Sequence, residues 1–259
     1  MKKVHPKKYL GQHFLHDARI ANRIVESLPL PPYQVLEVGP GMGVLTGHLA
    51  AIPEIDLKLV EMDEESIDYL HVHFPQLSDG IVSGDFLKID PGDLFDGKYS
   101  VIGNFPYNIS SQIFFKVLEN RDSVHSVTGM VQREVGRRIT APPGSKEYGI
   151  LSVLMQAWYH AEYLFTVSEN VFVPPPKVKS AVVRFVRNDV EDLGCDASLF
   201  KKVVKRAFNQ RRKTLRNSLK PFGIIGDDPR THTLLKQRPE QLGVDEFVEL
   251  TLLVERSGR

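Results

Sequence analysis

The 259-residue sequence predicts an α/β protein with a seven-stranded, mostly parallel sheet, followed by a small all-helical domain. Three observations lead there. Short apolar runs rich in β-branched residues alternate with helical patterns as far as about residue 132. Two later runs are joined by a proline-rich link with no helix between them, which suggests an antiparallel edge on the sheet. Beyond about Asp189 apolar residues recur at helical spacing.

The elements follow in order. "QVLEVG" (34–39) reads as a buried strand, followed by a glycine loop and a helix from about Val44. "LKLVEM" (57–62) is the second strand, with a polar helix after it; "IVSGD" (81–85) is the third and "YSVIGN" (99–104) the fourth. "SVTGMVQ" (126–132) is the fifth, and "YLFTV" (163–167) and "AVVRFV" (181–186) complete the sheet. Phe200, Val203, Val204, Ala207 and Phe208 then recur at i, i+3, i+4, i+7 and i+8, one face of an amphipathic helix. "RPEQLGVDEFVELTLLV" (238–254) reads as a turn and a final helix.

Bulk properties narrow the functional classes. No apolar run reaches the roughly 18 residues of a membrane span. The basic start, "MKKVHPKKYLGQHFL", lacks the apolar segment of a secretory signal, so a cytoplasmic location is expected. The single cysteine, Cys195, excludes an intramolecular disulfide and a cysteine-cluster metal site. His71 and His73 lie two apart on a predicted helix and so point to different faces; no metal is expected. The net charge of +1 hides an asymmetry. Residues 201–220 hold nine Lys and Arg and no acid, and residues 1–10 hold four Lys. Two basic segments on an otherwise acidic chain suggest a polyanion partner. Lys201, Lys205, Arg211, Arg212, Lys213 and Arg216 are its candidate contacts. The plain alternative is a solvated helix face.

The chemistry concentrates at strand ends. Gly39, Gly41 and Gly43 in "EVGPGMG" permit tight turning and close backbone approach to a ligand. Glu61 follows 20 residues after Gly41, where a carboxylate can accept from ribose hydroxyls. A dinucleotide fingerprint would need a third glycine where Val44 stands, and no Lys-Ser/Thr pair marks a phosphate loop. Asp85 can accept from an adenine amino group, although a turn-capping role is equally open to it. Glu37, Glu61 and Asp85 would form a negative crevice, repelling a pyrophosphate and accepting a sulfonium such as S-adenosylmethionine.

The stretch "GNFPYN" (103–108) then resembles the catalytic motif of amino-methyltransferases that act on nucleobases. The adenine N6 lone pair is delocalised into its ring. The Asn104 side-chain oxygen and the Phe105 carbonyl could each accept from N6–H, turning that lone pair toward a methyl group. Pro106 fixes the backbone, and Tyr107 offers a stacking face worth about 1–3 kcal/mol per base. A plain turn with Asn104 as a cap is the structural alternative.

Nearly the whole chain resembles the small-subunit ribosomal RNA adenine N6,N6-dimethyltransferase family. "KKYLGQHFL", "LEVGPGMGVLT", "VEMD", "SGDFL", "IGNFPYNIS", "VFVPPPKVKSAVV" and "RAFNQRRKTLRNSL" carry the likeness. It implies a Rossmann-like, seven-stranded S-adenosylmethionine-dependent methyltransferase domain over 1–188, with a basic arm over 1–15. A helical RNA- or ribosome-binding domain would cover 189–259. It also implies cofactor contacts from His13, Leu15, Gly39, Gly41, Glu61, Met62, Asp85, Phe86 and Asn104. Phe172 would stack on the target adenine opposite Tyr107; read from the residues alone it is a core strand residue. His13 departs from the family pattern, which commonly has Asn there. The implied substrate is a pair of adjacent adenines in the 3′-terminal hairpin of small-subunit rRNA, within an immature subunit, and a monomer is the default state. Two rivals remain: a large-subunit rRNA methyltransferase of the macrolide-resistance type, and a non-catalytic RNA-binding assembly factor. Val44 and the acidic crevice disfavour an NAD-dependent oxidoreductase.

Overall fold

The computed structural model describes residues 4–224 and 229–257. In chain order its elements are β1 (Phe14–Leu15), α1 (Ala18–Glu26), β2 (Gln34–Val38), α2 (Val44–Leu49), β3 (Asp56–Glu61), α3 (Glu64–His73), β4 (Ile81–Ser83), β5 (Tyr99–Asn104), α4 (Ser110–Glu119) and β6 (Val124–Gln132). There follow α5 (Arg133–Ile139), α6 (Ile150–Gln156), β7 (Tyr159–Val167), β8 (Phe172–Val173), β9 (Ser180–Arg187), α7 (Ala197–Asn209), α8 (Leu215–Ser218), α9 (Pro229–Lys236) and α10 (Val244–Ser257).

Seven strands form one sheet in the order β4-β3-β2-β5-β6-β9-β7. The first five pair in parallel, and β9 pairs antiparallel with β6 from Ser126↔Val186 to Gln132↔Ser180. This is the expected mixed sheet, with β7 outermost. Five of the six β5 residues are buried, as befits a parallel strand covered on both faces, whereas seven of the nine β7 residues are half-buried or exposed. The chain runs outward from β2 through β3 to β4, then returns to the other side of β2 as β5. That reversal creates a crevice between β2 and β5 at their carboxyl ends, where ligands of open α/β sheets bind.

Local chemistry sets the boundaries. Asp17 caps α1, its carboxylate accepting from the Arg19 and Ile20 amides. Glu64 and Glu65 occupy the first turn of α3, and His71 and His73 the last, matching the helix dipole. The third strand stops at Ser83, leaving Asp85 in the following loop. Gly103 and Gly129 face one another across β5 and β6. A β-carbon on either would strike the Phe105 ring, which fills the slot they leave. The sequence reading missed β1 and β8, a two-residue ribbon pairing Phe14↔Val173 and Leu15↔Phe172.

The chain divides into two compact units, Met1–Gly136 with Ala161–Arg187, and Arg137–His160 with Asn188–Arg259. A single boundary at 188/189 therefore misses a segment. Residues 137–160 join the C-terminal helices because α6 packs against α7 and α10. The second unit's core includes the expected stripe of Phe200, Val203, Val204, Ala207 and Phe208, all buried. Tyr148 and Phe247 pack their rings against Phe208, with centroids 6.1 and 5.9 Å away.

Candidate active site

At the β2/β5 crevice the first unit holds a cavity of about 270 Å³. Gly39, Gly41, Glu61, Met62, Asp85, Asn104, Phe105, Pro106, Tyr107 and His13 line it, each from a strand end or the N-terminal segment. All ten are expected cofactor or catalytic residues, brought together from positions 13 to 107. Among the described residues, no Lys or Arg lines it.

The glycine loop is built for bare backbone. Gly39, Gly41 and Gly43 all have positive φ (69°, 55° and 74°). A β-carbon at Gly41 would lie 2.9 Å from the Phe14 ring. The Gly41 amide donates to Glu61 Oε2 (3.1 Å), while Met62 and Asp63 amides donate to Oε1 (2.9 Å each). Burial pushes the Glu61 carboxyl above its ordinary range, and these three donors oppose the shift. Asp85 lines the cavity and also caps its own turn, accepting from the Leu87 amide at 3.0 Å.

Glu37 corrects the expected triple-acid crevice. It is 1% exposed, and burial raises its pKa to about 8, against the opposing hydrogen bond from Thr46 Oγ1 (2.7 Å). Its proton is therefore held toward neutral pH, and the carboxyls that line the main cavity are Glu61 and Asp85. Glu37 lines a smaller recess with Leu15, Gly39, Gly41 and Asn104. Leu15 and Phe86 are buried and do not line the main cavity.

Asn104 Nδ2 donates to the His13 carbonyl at 2.8 Å. A carbonyl only accepts, so this contact fixes the amide orientation and leaves Oδ1 as the free acceptor. The buried Phe105 ring stacks edge-on against Phe114 (5.9 Å), and its amide donates to the Met130 carbonyl (3.0 Å). The backbone that presents its carbonyl is thereby anchored. Tyr107 is half-buried. Its hydroxyl contacts Ser180 Oγ, and its ring centroid lies 5.3 Å from that of His13. Burial raises the Tyr107 pKa, so the hydroxyl stays protonated at neutral pH.

Phe172 is not brought to this pocket. It is 2% exposed, belongs to the apolar core and pairs with Leu15. Instead of the expected open stacking face, the structure places its main chain in the β1–β8 ribbon and its ring in the core.

Sequence reasoning missed the clasp on the N-terminal segment. Asp63, 2% exposed, receives Lys7 Nζ, Gln12 Nε2 (3.4 Å) and Ser66 Oγ (2.9 Å). Burial opposes its charge, but these donors outweigh it and hold its pKa below the ordinary value. Segment 9–14, pinned this way, supplies one wall of the cavity. The available signal was the acid in "VEMD" opposite a basic arm.

In the second unit Lys205, Arg212, Lys213 and Arg216 are exposed, and Lys201 is half-buried. Arg211 differs. It pairs with Glu240 (3.7 Å) and donates to the Ser145 carbonyl (3.3 Å), tying the end of α7 to its own unit. Arg216 donates to His232 Nδ1 at 3.0 Å.

A cradle of side-chain-free backbone and two carboxyls, with no Lys or Arg among the described lining residues, fits S-adenosylmethionine and opposes a pyrophosphate. Fold and site thus define a cofactor-dependent methyltransferase. The family model for ribosomal RNA adenine dimethylase matches residues 4–238. A ribosomal RNA small subunit methyltransferase A from Bacteroides thetaiotaomicron is 60% identical over 261 residues, covering 99% of this chain and 97% of that one. Its counterpart from Parabacteroides distasonis is 58% identical, covering 99% and 96%. The chain belongs to the ribosomal RNA adenine dimethylase family, and it is an S-adenosylmethionine-dependent enzyme. Among solved structures, a dimethyladenosine transferase from Plasmodium falciparum has the same fold (TM-score 0.79, 21% identity, 95% and 98% of the two chains). The 23S rRNA methyltransferase ErmE gives a TM-score of 0.71 at 25% identity, covering 95% and 100%. Among the described residues, no helix is long and apolar enough to cross a membrane.

Proposed function

We propose that this enzyme converts two adjacent adenines in the 3′-terminal hairpin of small-subunit rRNA to N6,N6-dimethyladenosines. The end-to-end 60% identity to a small-subunit enzyme, against 25% to a large-subunit one, carries the choice of RNA. The reading includes a monomer acting on an immature small subunit in the cytoplasm, where that substrate is made.

S-adenosylmethionine, when bound, supplies a methyl group activated by its positive sulfur. Gly39 and Gly41 would cradle it, Glu61 would accept from the ribose hydroxyls and Asp85 from the adenine amine; Met62 would flank it. His13 would meet its outer edge. On the substrate side, Asn104 Oδ1 and the Phe105 carbonyl accept from the target N6–H, directing the nitrogen lone pair at the methyl carbon. Tyr107 stacks on the base, which must leave its own stack to enter. The proton lost from N6 passes to water. Positioning two reactants in this way can supply about 7–11 kcal/mol of the barrier. The exposed Lys205, Arg212, Lys213 and Arg216, with Lys201, hold the RNA backbone.

The test maps dimethylated adenines in rRNA from cells lacking the enzyme, complemented with the natural chain or Asn104→Ala. The natural chain should restore both marks in the small subunit. Asn104→Ala should restore neither, while still binding S-adenosylmethionine in a calorimeter. Marks restored only in the large subunit would overturn the choice of RNA; marks restored by Asn104→Ala would overturn its role.

A further inference from the structure

Segment 174–179, "PPPKVK", is tied at both ends to pocket residues. At its start the Pro174 carbonyl accepts from His13 Nδ1 at 2.8 Å. At its end Lys179 precedes Ser180, whose hydroxyl contacts Tyr107. The Lys179 carbonyl also accepts from the Arg133 amide at 2.9 Å, just beyond the Gln132↔Ser180 pair. The segment is therefore anchored beside two residues that line the cavity, His13 and Tyr107, while its own residues stand outside that lining.

What it presents there is unusual for a connector. Pro174 and Pro175 are exposed and Pro176 is buried, so the backbone is stiff and anchored at its middle. Lys177 and Lys179 are both exposed, and neither makes an ion pair among the described residues. Val173 and Val178 stand beside them, 55% and 41% exposed. Two unneutralised cations on a stiff backbone edge can meet an anion without the main chain having to be ordered first. Among the described residues the cavity is lined by carboxyls and by no Lys or Arg, so the phosphates flanking an entering base meet neither of these cations inside it.

We propose that this segment is a ledge that grips the phosphates of the single-stranded RNA flanking the target adenine, through Lys177 and Lys179. It rests on the reading of the cavity as an adenine site. The ledge fixes the strand while Tyr107 takes the base, and through Ser180 the two share one support. Lys177 and Lys179 are positioning residues and take no part in methyl transfer.

The experiment compares the full-length enzyme with a Lys177→Ala/Lys179→Ala variant on small-subunit rRNA particles. RNA binding is measured against salt, alongside KM, kcat and S-adenosylmethionine affinity. Two lost single-strand contacts should reduce the slope of log K against log salt by about 1.4, and raise KM for RNA about tenfold. The kcat, cofactor affinity and melting temperature should not change, and Lys177→Arg/Lys179→Arg should restore the slope. An unaltered slope and KM in the alanine variant, with the natural enzyme active, would overturn the ledge alone. No dimethylation by the natural enzyme would instead overturn the adenine reading, and the ledge with it.

Discussion

Replacing Glu37 by Gln should make the protein more stable at neutral pH, with a gain that disappears in mild acid. Glu37 is 1% exposed and its carboxyl has a pKa raised from 4.5 to about 8, chiefly by burial, with the nearby Glu61 adding to the shift. In the unfolded chain the same carboxyl releases its proton near 4.5. The folded state thus holds a proton that the unfolded state gives up, and stability is lost as pH rises from about 4.5 to about 8. Each pH unit in that window costs about 1.4 kcal/mol, so the loss at pH 7 is about 3 kcal/mol. Glutamine keeps an acceptor for Thr46 and cannot ionise. Urea unfolding followed at about pH 5 and about pH 7.5 should show the variant gaining about 3 kcal/mol on the natural chain between the two. The Glu61 carboxyl, raised in the same direction, stays in both proteins and largely cancels. Parallel stability curves would refute the buried neutral acid and restore the three-carboxylate crevice.

Two further outcomes test the fold behind the chemistry. Gly129→Ala puts a β-carbon into the Phe105 ring, costing about 1–3 kcal/mol of stability and displacing the carbonyl at the pocket. Methyl transfer should fall far more than cofactor affinity; natural activity with a natural melting temperature would show that the slot is not tight. Phe172→Leu separates core from stacking. A buried ring predicts lower stability, by about 1–2 kcal/mol, with methyl transfer retained. Activity lost at an unchanged melting temperature would return Phe172 to the base.

The sheet was legible because each buried strand is an apolar run of its own, bounded by loops. The helix face from Phe200 to Phe208 was legible because its spacing has one period. The β1–β8 ribbon was not, since two-residue strands carry no period and their pairing spans most of the chain. Likewise "REVGRRI" and "ILSVLMQ" sit before the expected boundary, and only packing assigns most of 137–160 to the later helices. At the site, Asn104, Glu61 and Asp85 were readable as polar groups at strand ends. Glu37 reads as a charge in any sequence, and burial alone makes it neutral. Phe172 reads as apolar whether it packs a core or a base, and only the fold shows its ring buried in the core. Arg211 looked like its neighbours until Glu240 and the Ser145 carbonyl claimed it.

The contact between His13 and Pro174 joins residues 161 positions apart. During synthesis the N-terminal segment therefore leaves the ribosome long before the ribbon partner of β1 exists. Tyr107 likewise waits for Ser180, and β6 for β9. The cofactor wall and the base platform are completed together, when about two-thirds of the chain has emerged. A nascent chain stalled before that point lacks both contacts that brace the pocket from behind, His13 to Pro174 and Tyr107 to Ser180.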